Sequence, residues 1–289
     1  MTFRKILSPL VGRDRDMPVL GLSLLVAKTF ASHVEALFVR PDPSDVLPYM
    51  GEGVSGAVVE QVIEAARKAA EESLAAAMKS LEEAARKLAV PLIETPGARQ
   101  EATAALKVVQ GHFPDAVEEA SRLSDLVVFG AMSEDERFSL REALETAMMS
   151  GGRPVLLAPK SVPQTVATKT GIAYDGGASA SHGVMAALPF LGHARTIELF
   201  HVASGKKSIQ AVDDLREYLA LRGLSATIHV IEPAGGSIGA QIVSEAAKTG
   251  CDLLVMGGYG HSRLREFVLG GVTRDVLGQA LPLPILMAH

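Results

Sequence analysis

The chain has no tryptophan and a single cysteine among its 289 residues, and each shortage limits what the protein can be. One cysteine, Cys251, cannot form an intramolecular disulfide, so the composition suits a reducing compartment. Aromatic residues make up only 4% of the chain, so the core must be built from Leu, Val, Ile and Ala, as in sheets covered by helices on both faces. No run of 18 apolar residues occurs, so we expect no membrane-spanning helix.

Positive charge is not in excess either. The formal net charge of −5 argues against a nucleic-acid backbone as the partner, because such partners attract basic surfaces. The first residues enter a strand pattern directly, without the apolar segment of a secretory signal peptide. We therefore expect a cytoplasmic protein that binds neither nucleic acid nor membrane.

Strand and helix patterns alternate along the whole chain, and the order repeats. Residues 125–130 (DLVVFG) correspond to residues 252–257 (DLLVMG), and residues 153–158 (RPVLLA) to residues 283–288 (LPILMA). The polar, proline-containing residues 160–169 read as a linker. We predict two domains, 1–160 and 161–289, each an α/β domain with an open, mostly parallel sheet.

Within the first domain, two segments carry specific expectations. Residues 91–95 are predicted to form its third strand. Residues 58–89 are predicted to form one long helix, either a coiled-coil arm or a helix lying on a sheet; its alanine-rich apolar face favours the second.

Glycines cluster where an apolar strand pattern ends near the C-terminus. Gly257, Gly258 and Gly260 follow residues 253–256, and Gly270 and Gly271 precede a predicted helix. Strand, glycine loop and helix N-terminus together bind phosphate in many α/β proteins, because backbone N–H groups can approach the anion. A tight turn with a purely structural role has the same composition, so spacing alone leaves both interpretations open.

The spacing Gly257-x2-Gly260-x9-Gly270 resembles the nucleotide-binding signature of the universal stress protein family, G-x2-G-x9-G-[S/T]. Residues 172–177 (IAYDGG) look like the family's opening strand and Asp turn, residues 198–202 like its second strand, and residues 284–288 like its last. The resemblance extends over the whole chain and implies a tandem member with two five-stranded parallel-sheet domains of the adenine-nucleotide-hydrolase-like (Rossmann-like) type.

The resemblance also implies an ATP site in the second domain, with Mg²⁺ as an accompanying ion. The adenine is expected near Asp175 and Val202, with Met256 at the end of the strand before the loop. The phosphates are expected on Gly257, Gly260, His261, Ser262, Gly270, Gly271, Val272 and Thr273. The residue types agree, since backbone N–H groups, hydroxyls and His261 can all donate to phosphate oxygens.

Two departures from the family pattern bear on binding. Gly271 stands where the family has Ser or Thr, so one hydroxyl donor is lost and affinity is expected to fall roughly threefold to tenfold. In the first domain, Val11 stands in place of Asp175, the second motif glycine is missing, and residues 134–136 are three carboxylates. Like charge beside a phosphate is unfavourable, so the first domain is not expected to bind ATP.

The family's domains resemble one another in pairing through their last strands. Residues 155–158 and 285–288 are therefore expected to pair antiparallel as an intramolecular pseudo-dimer, which hides two sheet edges; further homodimerisation is left open.

No catalytic motif or metal-ligand spacing stands out. His193, His201 and His229 are expected to have structural roles, and Cys251 to be an inert core thiol. The expected function is a stress-response regulator that binds ATP or a related adenine nucleotide and interacts with protein partners whose identity the sequence does not give. We expect a binding protein rather than an enzyme, with slow hydrolysis beside His261 left open. One alternative is a nucleotide-independent scaffold that acts through protein contacts, and another is an enzyme or carrier of a different small ligand in the first-half cleft.

Overall fold

The computed structural model of the protein describes residues 2–42, 56–130, 137–203, 206–233, 235–259 and 281–289. Strands and helices alternate, which confirms the α/β class. The elements of the first half are, in order, β1 (Lys5–Leu10), α1 (Asp16–Phe30), β2 (His33–Arg40), α2 (Gly56–Leu88), β3 (Thr103–Gln110), α3 (Phe113–Ser121), β4 (Leu126–Phe129), α4 (Arg137–Met149) and β5 (Val155–Leu157). Those of the second half are β6 (Lys169–Ala173), α5 (Ala178–Leu191), β7 (Thr196–Val202), α6 (Lys206–Ala220), β8 (Ala226–Ile231), α7 (Ile238–Lys248), β9 (Leu253–Gly257) and β10 (Ile285–Ala288). Within these described ranges, no helix combines the length and the apolar character needed to cross a membrane.

These ten strands form one continuous sheet in the order β3-β2-β1-β4-β5-β10-β9-β6-β7-β8. Neighbouring strands within each half run parallel. The two halves join where β5 and β10 run antiparallel, with Ile285 opposite Leu157. The predicted antiparallel pairing of the closing strands is therefore confirmed. It places both strands in the middle of the sheet, where their backbone groups are paired on both sides.

The aspartate that begins the repeated sequence segment makes the same contact in both halves. Asp125 accepts a hydrogen bond from the backbone N–H of Lys5 at 2.9 Å, and Asp252 accepts one from that of Lys169 at 2.8 Å. Asp125 thus holds the beginning of β1 beside β4, and Asp252 holds the beginning of β6 beside β9. Asp252 also accepts a hydrogen bond from the hydroxyl of Thr165 at 2.7 Å, so the predicted linker is attached to the second half at this residue.

The predicted strand at residues 91–95 is wrong, because the third strand of the first half is β3. Residue Leu92 forms only an isolated bridge with Ala104, at the outer edge of β3. Pro91 lacks the N–H group that a longer ladder needs. The segment Thr103–Gln110 has no proline and pairs with β2 along its whole length.

The core lies in two layers, one on each face of the sheet. Ile6 and Leu7 are consecutive in β1 and belong to different apolar clusters, because successive side chains of a strand point to opposite faces. Helices α1, α2, α5 and α6 cover one face, and α3, α4 and α7 cover the other. Burial on both faces accounts for the continuous apolar runs of the central strands. The long helix α2 contacts α1, β2 and β3, which confirms that it lies on the sheet layer rather than forming an arm.

Aromatic side chains join the two halves on the face covered by α1 and α5. The ring of Phe3 lies 5.0 Å from that of Phe190, measured between centroids. Phe30 packs edge-on against Phe190 at 5.3 Å and against His193 at 5.1 Å. His193 is exposed, and its ring contacts Phe30 at the rim of this aromatic cluster.

Candidate functional site

The candidate site lies at the sheet edge where β6, β7 and β9 end. Strand β6 lies between β9 and β7, with Ile172 opposite Val255 and Ala173 opposite Phe200. All three strands are parallel, so their carboxyl ends meet at one edge. The chain continues from β6 to β7 and β8 on one side, while β9 and β10 lie on the other. This is the switch point at which open α/β sheets bind ligands.

Asp175 follows β6 in a compact turn at this edge. Its Oδ1 atom accepts a hydrogen bond from the backbone N–H of Gly177 at 2.8 Å. Gly176 has a φ angle of +80°, which favours glycine, and a Cβ atom there would lie 2.9 Å from the Cβ of Ala211 in α6. The turn thus holds an exposed carboxylate where β6 leads into α5.

Val202 ends β7 on the neighbouring strand. It is half-buried and lies opposite Ile231 of β8. The backbone N–H of Tyr174 donates to the carbonyl of Phe200 at 3.1 Å, which extends the β6–β7 pairing beyond the end of β6. Ala173 and Phe200 are the last residues that pair between β6 and β7. Asp175 and Val202 each lie two positions further along the chain, at the ends of these neighbouring strands.

Met256 and Gly257 end β9 against the first turns of α5. Met256 is only 4% exposed. A Cβ atom on Gly257 would lie 2.6 Å from the backbone nitrogen of Ala180, and one on Gly183 would lie 2.8 Å from the carbonyl oxygen of Met256. Two glycines, one on the strand and one on the helix, thus let the backbones of β9 and α5 approach directly, as occurs where a helix must pack closely on a nucleotide-binding strand.

Four of the predicted site residues, Asp175, Val202, Met256 and Gly257, thus lie at one edge of the sheet. The remaining predicted residues lie outside the described part of the chain: Gly260, His261, Ser262, Gly270, Gly271, Val272 and Thr273. The same holds for residues 131–136 of the first half, where the acidic run occurs.

The two residues after Gly257 have contacts that the sequence did not predict. The backbone N–H of Gly258 donates to the carbonyl of Ala288 at 2.8 Å. The Tyr259 hydroxyl donates to Oε1 of Glu145, in α4 of the first half, at 3.1 Å. Because 114 residues separate the two partners, no local pattern could have indicated this contact.

In the first half, a different carboxylate serves the turn at the end of β1. Asp16 is 1% exposed and accepts hydrogen bonds from the backbone N–H groups of Val11 at 3.2 Å and Gly12 at 2.7 Å. Burial raises its pKa, although these hydrogen bonds and the charge of Arg15 act in the opposite direction. Its carboxylate faces the protein backbone, whereas Asp175 is exposed at its own edge.

Replacing Asp16 by alanine is expected to lower the free energy of unfolding by about 1–2 kcal/mol. Two backbone N–H groups would lose their acceptor, while removal of a desolvated carboxylate offsets part of that loss. Urea denaturation at pH 7 would measure the change, with Asp115→Ala on the exposed face of α3 as the control. Equal stability of the Asp16 variant and the wild type would show that water replaces the carboxylate at this turn.

Cys251 lies away from the candidate site and is buried before β9. Burial raises the pKa of its thiol to about 11, so the reactive thiolate is scarce at neutral pH. This agrees with the expected role as an inert core thiol.

Comparison with known proteins places this architecture in a family. Residues 126–289 match the sequence model of the universal stress protein family. The universal stress protein Slr1230 of Synechocystis sp. is 30% identical over 190 residues, which cover 61% of this chain and 62% of that protein. The match therefore spans less than two thirds of that relative's length.

Solved structures share the fold at low identity. A universal stress protein from Archaeoglobus fulgidus DSM 4304 superposes with a TM-score of 0.68 at 17% identity, covering 99% of this chain and 97% of that one. The cytoplasmic domain of a prokaryotic cation chloride cotransporter superposes with a TM-score of 0.54 at 9% identity, covering 100% of this chain and 96% of that one. Because proteins of different kinds share this architecture, these structures establish the fold and leave the function to the site. The family match, by contrast, covers more than half of the sequence, and the protein belongs to the universal stress protein family.

Proposed function

We propose that the second half of the chain, residues 161–289, binds ATP or a related adenine nucleotide at the carboxyl edge of β6, β7 and β9. The observation that carries the proposal is the convergence of Asp175, Val202 and Gly257 on that edge, at the switch point of the sheet. An exposed carboxylate can accept hydrogen bonds from the N–H and O–H groups of a nucleoside. The close packing of Gly257 on α5 sets where the glycine-rich segment begins.

The protein would act as a cytoplasmic regulator in stress responses, as the family's name suggests. In this proposal nucleotide binding, with or without Mg²⁺, is the signal, and interactions with protein partners transmit it. Binding rather than catalysis is proposed, and phosphate release measured in the same samples would detect hydrolysis.

We further propose that the first half, residues 1–160, does not bind the nucleotide. Support comes from the turn after β1, where the buried carboxylate of Asp16 accepts from backbone N–H groups and is not exposed to a ligand. Gly12 in that turn packs against the backbone of Ser73, so α2 covers the position. In the second half the equivalent turn holds an exposed Asp175. One nucleotide is therefore expected per chain.

Titration calorimetry with ATP and Mg²⁺ tests the proposal. Wild-type protein is expected to give saturable binding with one site per chain. Asp175→Ala is expected to raise the dissociation constant about tenfold or more, because a hydrogen bond to a charged group is lost. Asp115→Ala, an exposed carboxylate in the first half, is the matched control and should bind as the wild type does.

Three results would contradict these proposals. Absence of binding at millimolar ATP would overturn the proposal and favour the nucleotide-independent scaffold. Two sites per chain would overturn the assignment of a non-binding first half. Equal affinity of the wild type and Asp175→Ala would show that Asp175 does not contact the nucleotide.

A further inference from the structure

Helix α4 of the first half contacts the chain where β9 of the second half ends. The antiparallel pairing of β5 with β10 brings the two halves together on this face of the sheet. A Cβ atom on Gly258 would lie 2.8 Å from the Sδ atom of Met148 in α4. The backbone of Gly258 is therefore in direct contact with a side chain of the other half. That side chain, Met148, is buried and only 2% exposed.

Tyr259 makes a second contact with the same helix. Its hydroxyl donates to Oε1 of Glu145 at 3.1 Å, and Nε of Arg141 donates to the same oxygen at 2.9 Å. Burial, together with the negative charge of Glu145, raises the pKa of Tyr259, so the hydroxyl stays protonated and remains a donor at neutral pH.

The backbone conformation of Tyr259 itself requires support from its surroundings. Its φ angle is +56°, in the left-handed region that residues with a Cβ atom rarely adopt. Such a conformation persists only where the surroundings hold it. The hydrogen bond to Glu145 holds the side chain of Tyr259, while Met148 and the hydrogen bond from Gly258 to Ala288 hold the residue before it.

We propose that Glu145 and Met148 are positioning residues through which the first half sets the nucleotide affinity of the second half. They fix the backbone at Gly258 and Tyr259, directly after Gly257. The effect on affinity rests on the proposed function; the contact itself does not. Movement of α4 would then change nucleotide binding in the second half. The first half, which is proposed not to bind nucleotide itself, would in this way control the half that does. By linkage, bound nucleotide would in turn stabilise the contact with α4.

Single-atom variants of the full-length chain test the proposal. Tyr259→Phe removes only the hydroxyl, and Glu145→Gln removes the negative charge that Tyr259 and Arg141 share. Each is expected to raise the dissociation constant for ATP about threefold to tenfold, the equivalent of one hydrogen bond. Because both changes act on the same contact between Tyr259 and Glu145, the double variant should lose less affinity than the sum of the two single effects.

A matched control lies on the neighbouring helix α3. Glu118 accepts from NH2 of Arg122 at 2.8 Å, four residues away, which is the same spacing as Glu145 and Arg141. It has no contact with Gly258 or Tyr259 among those the structure describes. Glu118→Gln should therefore leave ATP affinity unchanged. Changes of equal size in Glu118→Gln and Glu145→Gln would contradict the proposal.

Hydrogen exchange at the Gly258 amide separates this inference from the nucleotide proposal. Without nucleotide, Glu145→Gln and Tyr259→Phe are expected to speed that exchange about threefold to tenfold, and Glu118→Gln to leave it unchanged. If the wild type binds no ATP, the proposed function fails, and this exchange rate alone decides whether α4 positions the segment. A lower melting temperature with unchanged affinity and unchanged exchange would reduce Glu145 to a structural residue and overturn the inference.

Discussion

Replacing Gly257 by alanine is expected to lower the free energy of unfolding by about 2–3 kcal/mol and to weaken ATP binding at least about tenfold. The new Cβ atom would lie 2.6 Å from the backbone nitrogen of Ala180 and 2.8 Å from the carbonyl carbon of Ser179. Both are backbone atoms of the first turn of α5, so no side chain can rotate away. The strand and the helix would have to separate.

The separation has a direct effect on the candidate site. Ordinary contact begins at 3.4 Å, so β9 and α5 would move apart by about 0.8 Å at this point. Asp175 lies in the turn that leads into α5, and Gly257 ends β9. Their spacing would change by a comparable amount, whereas hydrogen bonds tolerate only a few tenths of an ångström. Stability and binding should therefore both decline in the one variant.

Gly97→Ala serves as the control for this prediction. A Cβ atom on Gly97 meets nothing within 4 Å, and the residue lies in an exposed segment. Chemical denaturation and calorimetry on both variants would separate the loss of space at Gly257 from the general effect of adding a methyl group. A Gly257→Ala protein that binds ATP as tightly as the wild type would show that the nucleotide does not depend on the contact between β9 and α5.

The sequence predicts the fold well because the fold depends on repeated local patterns. Asp125 and Asp252 occur in the same segment in both halves, and each makes the same hydrogen bond to the start of a central strand. The closing strands share a pattern too, and they pair antiparallel as the family resemblance implies. The segment 91–95 has the apolar character of a strand, but Pro91 lacks the N–H group that would extend the pairing from Leu92 toward the N-terminus.

The candidate site is less predictable because part of it arises from contacts between distant residues. The position of Asp175 follows from a strand and a glycine turn, both of which are local. The contact of Tyr259 with Glu145 depends instead on how two halves dock, and no periodicity in either segment records it. Asp16 is a similar case: the sequence shows Val11 at the position of Asp175, but only the structure shows that a carboxylate five residues later accepts from the turn.

Replacing Glu198 by alanine is expected to lower the free energy of unfolding by about 2–3 kcal/mol. Its side chain is 10% exposed and lies between Nζ of Lys169, at 3.0 Å, and Nε2 of His229, at 2.7 Å. These three residues join β6, β7 and β8. Removing one partner of a buried ion pair usually destabilises by about 3–5 kcal/mol, and the partial exposure of Lys169 and His229 reduces that figure here because water can solvate them.

The first half contains the same arrangement, which indicates that it serves the sheet rather than the ligand. Glu35 of β2 pairs with Lys5 at 3.0 Å and lies 3.7 Å from Lys107 of β3. Glu35 and Glu198 occupy the same position in their strands, and only the second half is proposed to bind nucleotide. Glu198→Gln should therefore lower stability while leaving ATP affinity unchanged, the opposite of the result expected for Asp175→Ala.

The pH dependence of stability gives this prediction its sharpest test. Burial alone would raise the pKa of Glu198, but the hydrogen bond from His229 and the hydrogen bond and charge of Lys169 hold it below the ordinary value of 4.5.

A carboxyl with a lowered pKa in the folded state contributes stability above its unfolded pKa, and this contribution is lost as the pH falls through the folded pKa. The stability difference between the wild type and Glu198→Gln should therefore shrink as the pH falls below about 4.5. Glu83→Gln, which breaks an exposed pair with Lys87 on α2, should change stability little at neutral pH. A difference between the wild type and Glu198→Gln that persists undiminished in acid would mean that the charge of Glu198 is not what stabilises the three strands.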